Sequence, residues 1–296
     1  MIGVVINDPG GAELVTSWLK QNKLSFQICF GKYSKNIVKE KFGITKSLDL
    51  KKLVLNCEWI LCGTSAIPDL EWRAIKFSKK YKKKCVVFLD HWVNYAQRFS
   101  KNDEVLLPDE IWVADNEAYK IAKKTFKNLK IRIVENPYFN EIKSRLSLLK
   151  TDKKSESLDT ILYLCEPLMP PSETKNLAKI KYGYTEEEAI RYFFKNIDYI
   201  SKNIKKIIIK PHPKENYKKY NWVKNNFDFP IEFYKNKNLL EHIVLCDIVV
   251  GCTTMGMVIG LLAKKKVVSC IPPEGKINQL PHKKIIPISH LQKNNK

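Results

Sequence analysis

The chain has 296 residues, 44% hydrophobic and 28% charged, with 52 Lys and Arg against 31 Asp and Glu. That is about two domains' worth of chain, long enough to bury its cores without disulfide or metal support. The composition excludes collagen, coiled coil and disorder as whole-chain readings, and no apolar run approaches the ~20 residues of a membrane span.

The opening Met1-Ile2-Gly3-Val4-Val5-Ile6-Asn7 reads as a strand. It lacks the basic n-region of a signal peptide, and Asp8 arrives too early for an apolar h-region. A cytoplasmic protein is expected. The net charge of +21 comes from 47 Lys and only 5 Arg, spread along the chain. Base readout and bidentate phosphate contacts favour Arg, so nucleic acid is not the expected partner. A positive field attracts phosphorylated substrates and anionic lipid, so the charge reads either as peripheral contact with the inner face of the cell membrane or as a plain solvated surface. The eight cysteines form no Cys-x-x-Cys pair and have no His at zinc-ligand spacing. They read as reduced thiols packed as small hydrophobes.

In chain order, strands are expected at 2–6, 26–30, 58–62, 85–89, 110–114 and 131–134. Helices are expected near 10–21, 34–41, 68–82 and 116–126. Val86-Val87-Phe88-Leu89 is continuously apolar, as in a strand buried on both faces. Residues 149–158 are polar and read as a linker. The pattern then restarts, with strands at 159–165, 206–210, 231–234, 247–250 and 266–270. Thr185 and Glu188 form a capping box at the start of a helix over 185–201. Further helices follow Lys214 and cover 238–245 and 254–263, and the tail after Lys283 reads as frayed. Alternating strands and helices imply right-handed βαβ units and parallel sheets. The expected architecture is α/β: two Rossmann-like, doubly wound domains facing a central cleft, residues 1–148 for the acceptor and 159–296 for the donor.

Ligands of such folds sit beyond the carboxyl ends of the strands, and five strand ends carry chemistry. Asn7-Asp8-Pro9-Gly10-Gly11 follows the first strand. Gly10 and Gly11 let backbone approach a ligand, and Asp8 is either a general base or the cap of the next helix. The loop is not G-x-G-x-x-G, which disfavours a nicotinamide or flavin. Asp90 and His91 follow 85–89 as a carboxylate and a proton shuttle, or as a structural hydrogen bond between loops. Gly63-Thr64-Ser65 is a weaker loop of the same kind. Lys210-Pro211-His212-Pro213 sets a cation and an imidazole between stiffening prolines. Gly251, Cys252, Thr253 and Thr254 end a strand and begin a helix, a geometry equally suited to phosphate binding and to simple capping. Glu166 can orient a sugar hydroxyl or a base, or stand as a solvent-facing acid.

The pairing of Lys-Pro-His-Pro with a later Gly-Cys-Thr-Thr resembles bacterial sialyltransferases and polysialyltransferases of the GT-B glycosyltransferase type. It is also similar to capsule and teichoic-acid polymerases that use cytidine-diphosphate-linked donors. The resemblance implies that His212 and Pro213, with Thr253 and Thr254, contact the donor phosphate. It implies an acidic base in the first domain: Asp8 by position, with Asp90 or Glu13 as substitutes. Asp115-Asn116-Glu117 and Glu135-Asn136-Pro137 also look like strand ends of such enzymes. The implied reaction is an inverting, metal-independent transfer of a nonulosonic acid such as sialic acid, or of Kdo, from a CMP-linked donor. The acceptor would be a surface glycan, lipid-linked or of lipooligosaccharide or capsule type. No Asp-x-Asp element offers itself to a divalent cation. A nucleotide-sugar epimerase of the same fold, and a transferase using a UDP- or CDP-linked donor, are the alternatives.

Overall fold

In a computed structural model, the structure describes residues 1–65, 67, 69–149, 158–168, 175–212, 215–233, 238–276 and 280–293. Two units form, Met1–Glu141 and Ile142–Lys296. Of the expected linker, only Leu149 and Leu158 fall among the described residues.

In unit 1 the chain runs β1 (Ile2–Ile6), α1 (Pro9–Asn22), β2 (Phe26–Phe30), α2 (Lys35–Phe42), α3 (Leu50–Asn56), β3 (Trp59–Cys62), α4 (Leu70–Lys80) and β4 (Lys84–Leu89). A small antiparallel hairpin, β5 (Ser100–Lys101) with β6 (Glu104–Val105), interrupts the alternation. Then follow β7 (Glu110–Val113), α5 (Asn116–Thr125), β8 (Lys130–Ile133) and α6 (Pro137–Leu148), in which the chain passes from unit 1 to unit 2. The six main strands are parallel, in the order β2-β1-β3-β4-β7-β8. Every residue of β1 is buried, which is why Ile-Gly-Val-Val-Ile shows no alternation.

Unit 2 runs β9 (Asp159–Leu164), α7 (Lys175–Tyr182), α8 (Glu186–Lys195), α9 (Ile197–Ile200), β10 (Ile204–Lys210), α10 (Trp222–Asn226), β11 (Ile231–Glu232), α11 (Leu239–Leu245), β12 (Ile248–Gly251), α12 (Met255–Leu262), β13 (Lys266–Ser269), β14 (Ile285–Pro287) and α13 (Ile288–Lys293). Its parallel sheet is ordered β11-β10-β9-β12-β13-β14. Renumbered within the sheet this is 3-2-1-4-5-6, the Rossmann order, while unit 1 is 2-1-3-4-5-6, an extended flavodoxin-like order. Each sheet has one switch point where consecutive connections turn opposite ways: between β1 and β3, and between β9 and β12.

Three expectations change. The helix over 185–201 breaks at Asn196, whose side-chain amide donates to the Tyr192 carbonyl and accepts from Gln292. The capping box at Thr185 and Glu188 is present. Of the tail expected to fray after Lys283, residues 284–293 are ordered, because β14 adds a sixth strand to β13 and α13 follows it. Helices α3, α6 and α7 are short or weakly patterned and were not expected. All eight cysteines are buried and free. Among the described residues no helix is long and apolar enough to cross a membrane.

Phe193 anchors unit 2, fully buried, with its ring 5.0 Å from Tyr163 and 4.9 Å from Phe194. Phe193→Ala is expected to remove about 3–5 kcal/mol of stability, read as a lower urea midpoint for the unit 2 transition.

Candidate active site

At the switch point of unit 1, the loops after β1 and β3 are joined by a carboxylate from α4. Glu71 is buried and accepts from the Asn7 N–H at 2.8 Å and from the Ser65 hydroxyl at 3.0 and 2.9 Å. Burial pushes its carboxyl up to about 7, with the nearby Asp8 charge adding to the rise and the Ser65 and Asn7 hydrogen bonds opposing it. A carboxylate in that range can exchange a proton near neutral pH. Asp8 is the N-cap of α1 by position, but its side chain makes no capping bond. The capping reading of Asp8 is therefore set aside.

Asp90, after β4, belongs to a second cluster. Its Oδ1 accepts from the Thr64 hydroxyl at 2.6 Å and from the Arg98 guanidinium at 3.2 Å. The same Arg98 nitrogen reaches Thr64 Oγ1 at 2.9 Å, and Arg98 Nε donates to the Val93 carbonyl at 3.2 Å. A carboxylate held this way acts as an anchor for the loop more readily than as a base. The paired glycines serve this packing. A Cβ on Gly10 would lie 2.2 Å from Asp90 Oδ2, and one on Gly11 would lie 2.9 Å from the Thr64 nitrogen. The structure thus gives the two glycines a close-approach role within the protein. Trp92 next to His91 donates to Asp115 at 2.8 Å, and Asp115 also caps α5 through Ala118 N–H at 2.7 Å. Glu13, one alternative base, is ion-paired with Lys41 at 2.8 Å, which also holds Glu141 at 3.1 Å.

The switch point of unit 2 has the same logic. Glu166, two residues past β9, accepts from the Cys252 N–H at 3.1 Å, from the Thr253 N–H, and from the Thr253 hydroxyl at 3.0 Å. Desolvation pushes its carboxyl above the usual range, against the pull of these donors. The donors that the sequence offers to phosphate are thus engaged by an internal carboxylate. Thr254 is the N-cap of α12, accepting from Gly256 N–H at 3.4 Å.

After β10, the His212 N–H donates to Glu215 at 3.3 Å, and Glu215 in turn takes the Tyr220 hydroxyl at 2.9 Å and Lys219 at 2.8 Å. Burial lowers the Lys210 ammonium below its ordinary range, partly offset by Glu241. Pro213 lies outside the described residues. A cavity of about 670 Å³ opens beside β13 and β14, reaching Tyr192, His282 and His290. It begins at Ser269, whose hydroxyl donates to the Cys252 carbonyl at 3.0 Å, on the same loop that holds Glu166.

The strand ends thus bring together Asp8 with Glu71, Asp90 with Thr64, and Glu166 with Thr253. Sequence reasoning missed Glu71, Arg98 and Glu215. The signal for Glu71 was present: in α4 it shares the buried face with Ala74, Ile75 and Ser78, and a carboxylate on an apolar stripe is rarely idle. Arg98 and Glu215 act through loops, where spacing carries no such signal. Among the described residues no group of three or more His, Cys, Asp or Glu is placed to hold a metal ion.

No family model and no curated relative matches the chain. Solved structures do. The UDP-GlcNAc 2-epimerase of Methanocaldococcus jannaschii aligns over 90% of this chain and 83% of its own, at 11% identity and TM-score 0.56. The MnaA protein of S. aureus, solved with UDP, aligns over 90% and 78%, at 8% identity and TM-score 0.60. The Neisseria meningitidis UDP-GlcNAc 2-epimerase bound to UDP-GlcNAc aligns over 86% and 78%, at 11% identity and TM-score 0.54. At such identities the likeness is one of fold: two Rossmann-like units of the GT-B type.

Glu71 sets a pH signature. Its folded value of about 7 lies above an ordinary glutamate's 4.5. Its contribution to stability is therefore full below the unfolded value and is lost as the pH rises through the folded one. Roughly 3 kcal/mol should disappear across that window. Glu71→Gln has no carboxyl to titrate, so urea unfolding of the variant should lack this decline between pH 4.5 and 7.5.

Proposed function

We propose that the chain is an enzyme acting on a nucleotide-activated sugar. The observation that carries this reading is the carboxylate pair Asp8 and Glu71 at the switch point of unit 1, with Glu71 poised near neutrality. Ligands of doubly wound sheets bind at such points, and a carboxyl titrating near neutral pH suits proton transfer to or from a sugar hydroxyl. In unit 2, Lys210, His212, Thr253 and Thr254 supply the positive and hydroxyl groups for a phosphate. The cavity beside Ser269 has the volume of a small-molecule site. The fold that the chain shares with proteins solved with UDP and UDP-GlcNAc supports the same substrate class.

Within that class the reaction is an inverting glycosyl transfer without a divalent cation. Asp8 takes the proton of an acceptor hydroxyl as that oxygen attacks the anomeric carbon. The phosphate leaves toward His212 and the Thr253–Thr254 loop, where dipoles and the Lys210 charge offset its growing negative charge. For Thr253 to join in, Glu166 must release its hydroxyl. The donor is a CMP-linked nonulosonic acid or Kdo and the acceptor a glycan of the cell surface, met in the cytoplasm at the inner membrane face. This finer reading rests on the paired Lys-Pro-His-Pro and Gly-Cys-Thr-Thr motifs. Epimerisation of a UDP-sugar is the second reading. It is favoured by two neighbouring carboxyls of unlike burial, Asp8 half-buried and Glu71 buried, as suits an acid and base pair.

Incubation with CMP- and UDP-sugars, with and without glycan acceptors, separates the two. Turnover only with acceptor supports transfer, and conversion of the sugar nucleotide alone supports epimerisation. Asp8→Asn should lower kcat about 10²–10⁴-fold while nucleotide Kd is kept. His212→Ala should raise the nucleotide Kd or lower kcat, and normal values of both would remove His212 from the site.

A further inference from the structure

A parallel sheet returns each helix toward the amino ends of the strands. In unit 1 that edge lies opposite the one carrying Asp8, Glu71 and Asp90. A groove of about 550 Å³ runs along it, lined by five lysines, Lys79, Lys82, Lys83, Lys84 and Lys130, against two acids, Asp109 and Glu110. Both acids are already engaged. Glu110 is buried, accepts from the Trp112 indole at 2.9 Å, and holds Lys84 at 3.1 Å and Lys130 at 3.4 Å. Asp109 accepts from the Cys85 N–H at 2.7 Å, fixing the entry to β4. Lys83 donates to the Cys57 carbonyl at 2.8 Å. Lys79 and Lys82 are exposed, as is Lys127 in the neighbouring turn into β8. The groove therefore carries positive charge beyond what its own acids neutralise.

We infer that this amino edge of unit 1 docks on an anionic lipid bilayer. The cations are all lysine, compact and strongly hydrated charges that suit a diffuse layer of lipid phosphates. The groove has no Arg fork for bases. Neither ring beside it is free for base stacking: Tyr81 is stacked on Phe77 with centroids 6.2 Å apart, and Trp112 is buried with its indole on Glu110. Two leucines stand out on the same edge, Leu24 before β2, 39% exposed, and Leu55 before β3, 44% exposed. Leu55 is two residues from the carbonyl that anchors Lys83. Basic charge flanked by exposed aliphatic side chains is the composition of an interfacial surface. Docking by this edge leaves the carboxyl-edge loops of unit 1 turned away from the bilayer. The inference deepens the proposed function by naming the surface that meets the inner membrane face, and its test reads lipid binding and not sugar turnover.

The test is vesicle flotation of the full chain in about 0.15 M salt, with phosphatidylcholine alone or with about 30% phosphatidylglycerol. Each lysine near an anionic leaflet contributes about fivefold in partitioning. The wild type should float only with the anionic vesicles. Lys79→Glu, Lys82→Glu and Lys127→Glu together should lower the partition coefficient by more than about a hundredfold. The neutral set Lys79→Gln, Lys82→Gln and Lys127→Gln should give a smaller loss in the same direction, guarding against a folding defect in the reversed set. Lys46→Glu, Lys51→Glu and Lys52→Glu, an equal charge change beside the start of α3, should leave flotation largely intact. Equal flotation with and without anionic lipid, or equal loss in the two reversed sets, would overturn the inference. So would release of the protein from vesicles by RNA at matched phosphate concentration, which would make the groove a nucleic-acid surface.

Discussion

A glutamate spans the switch point of each unit, and the candidate chemistry depends on these two residues. A doubly wound sheet leaves a crevice where its connections diverge. In unit 1 Glu71 closes it by accepting from the loop after β1 and the loop after β3. In unit 2 Glu166 does the same between the ends of β9 and β12. Taking a carboxylate out of water opposes its ionisation, and both groups are pushed upward for that reason. Burial at these ties raises both carboxyls while the hydrogen bonds that close the strand ends oppose the rise, and for Glu71 the balance falls near neutrality. Asp8 and the Thr253–Thr254 loop take their positions from these ties.

The parallel topology also sorts charge. In unit 1 Asp8, Glu71 and Asp90 stand where strands end and helices begin, and Lys79, Lys82, Lys83, Lys84 and Lys130 where helices end and strands begin. Helix dipoles favour the lysine placement, since cations suit helix C-termini; Lys79 and Lys80 occupy the last turn of α4. A large net positive charge therefore coexists with an acidic candidate site in the same unit. Composition alone reports only the sum.

The strands were legible because buried parallel strands are continuous apolar runs, as in 85–89, and because Gly, Pro and Asp punctuate their ends. The strand-end loops were legible for the same reason. Three things were hidden. Asn196 breaks a helix through side-chain bonds to Tyr192 and Gln292, one of them 96 positions away, which no local pattern reveals. The glycines after β1 read as room for a ligand, whereas the space they leave is filled by Asp90 and the β3 loop. Thr253 read as a phosphate donor, yet its partner is Glu166, 87 positions earlier. For the glycines and Thr253 the local residue type was read correctly and the partner was set by tertiary structure.

The most direct test of the account is a thermal-shift panel with CMP, CDP, UMP, UDP, GDP and AMP, run without metal and then with Mg²⁺. A nucleotide at 100 times its Kd stabilises by about 2.7 kcal/mol, a shift of several degrees for a unit of this size. The account predicts a clear rise in melting temperature with a pyrimidine nucleotide, already present without Mg²⁺. No rise with any nucleotide, in either condition, would contradict it and leave the loops after β10 and β12 as structural caps.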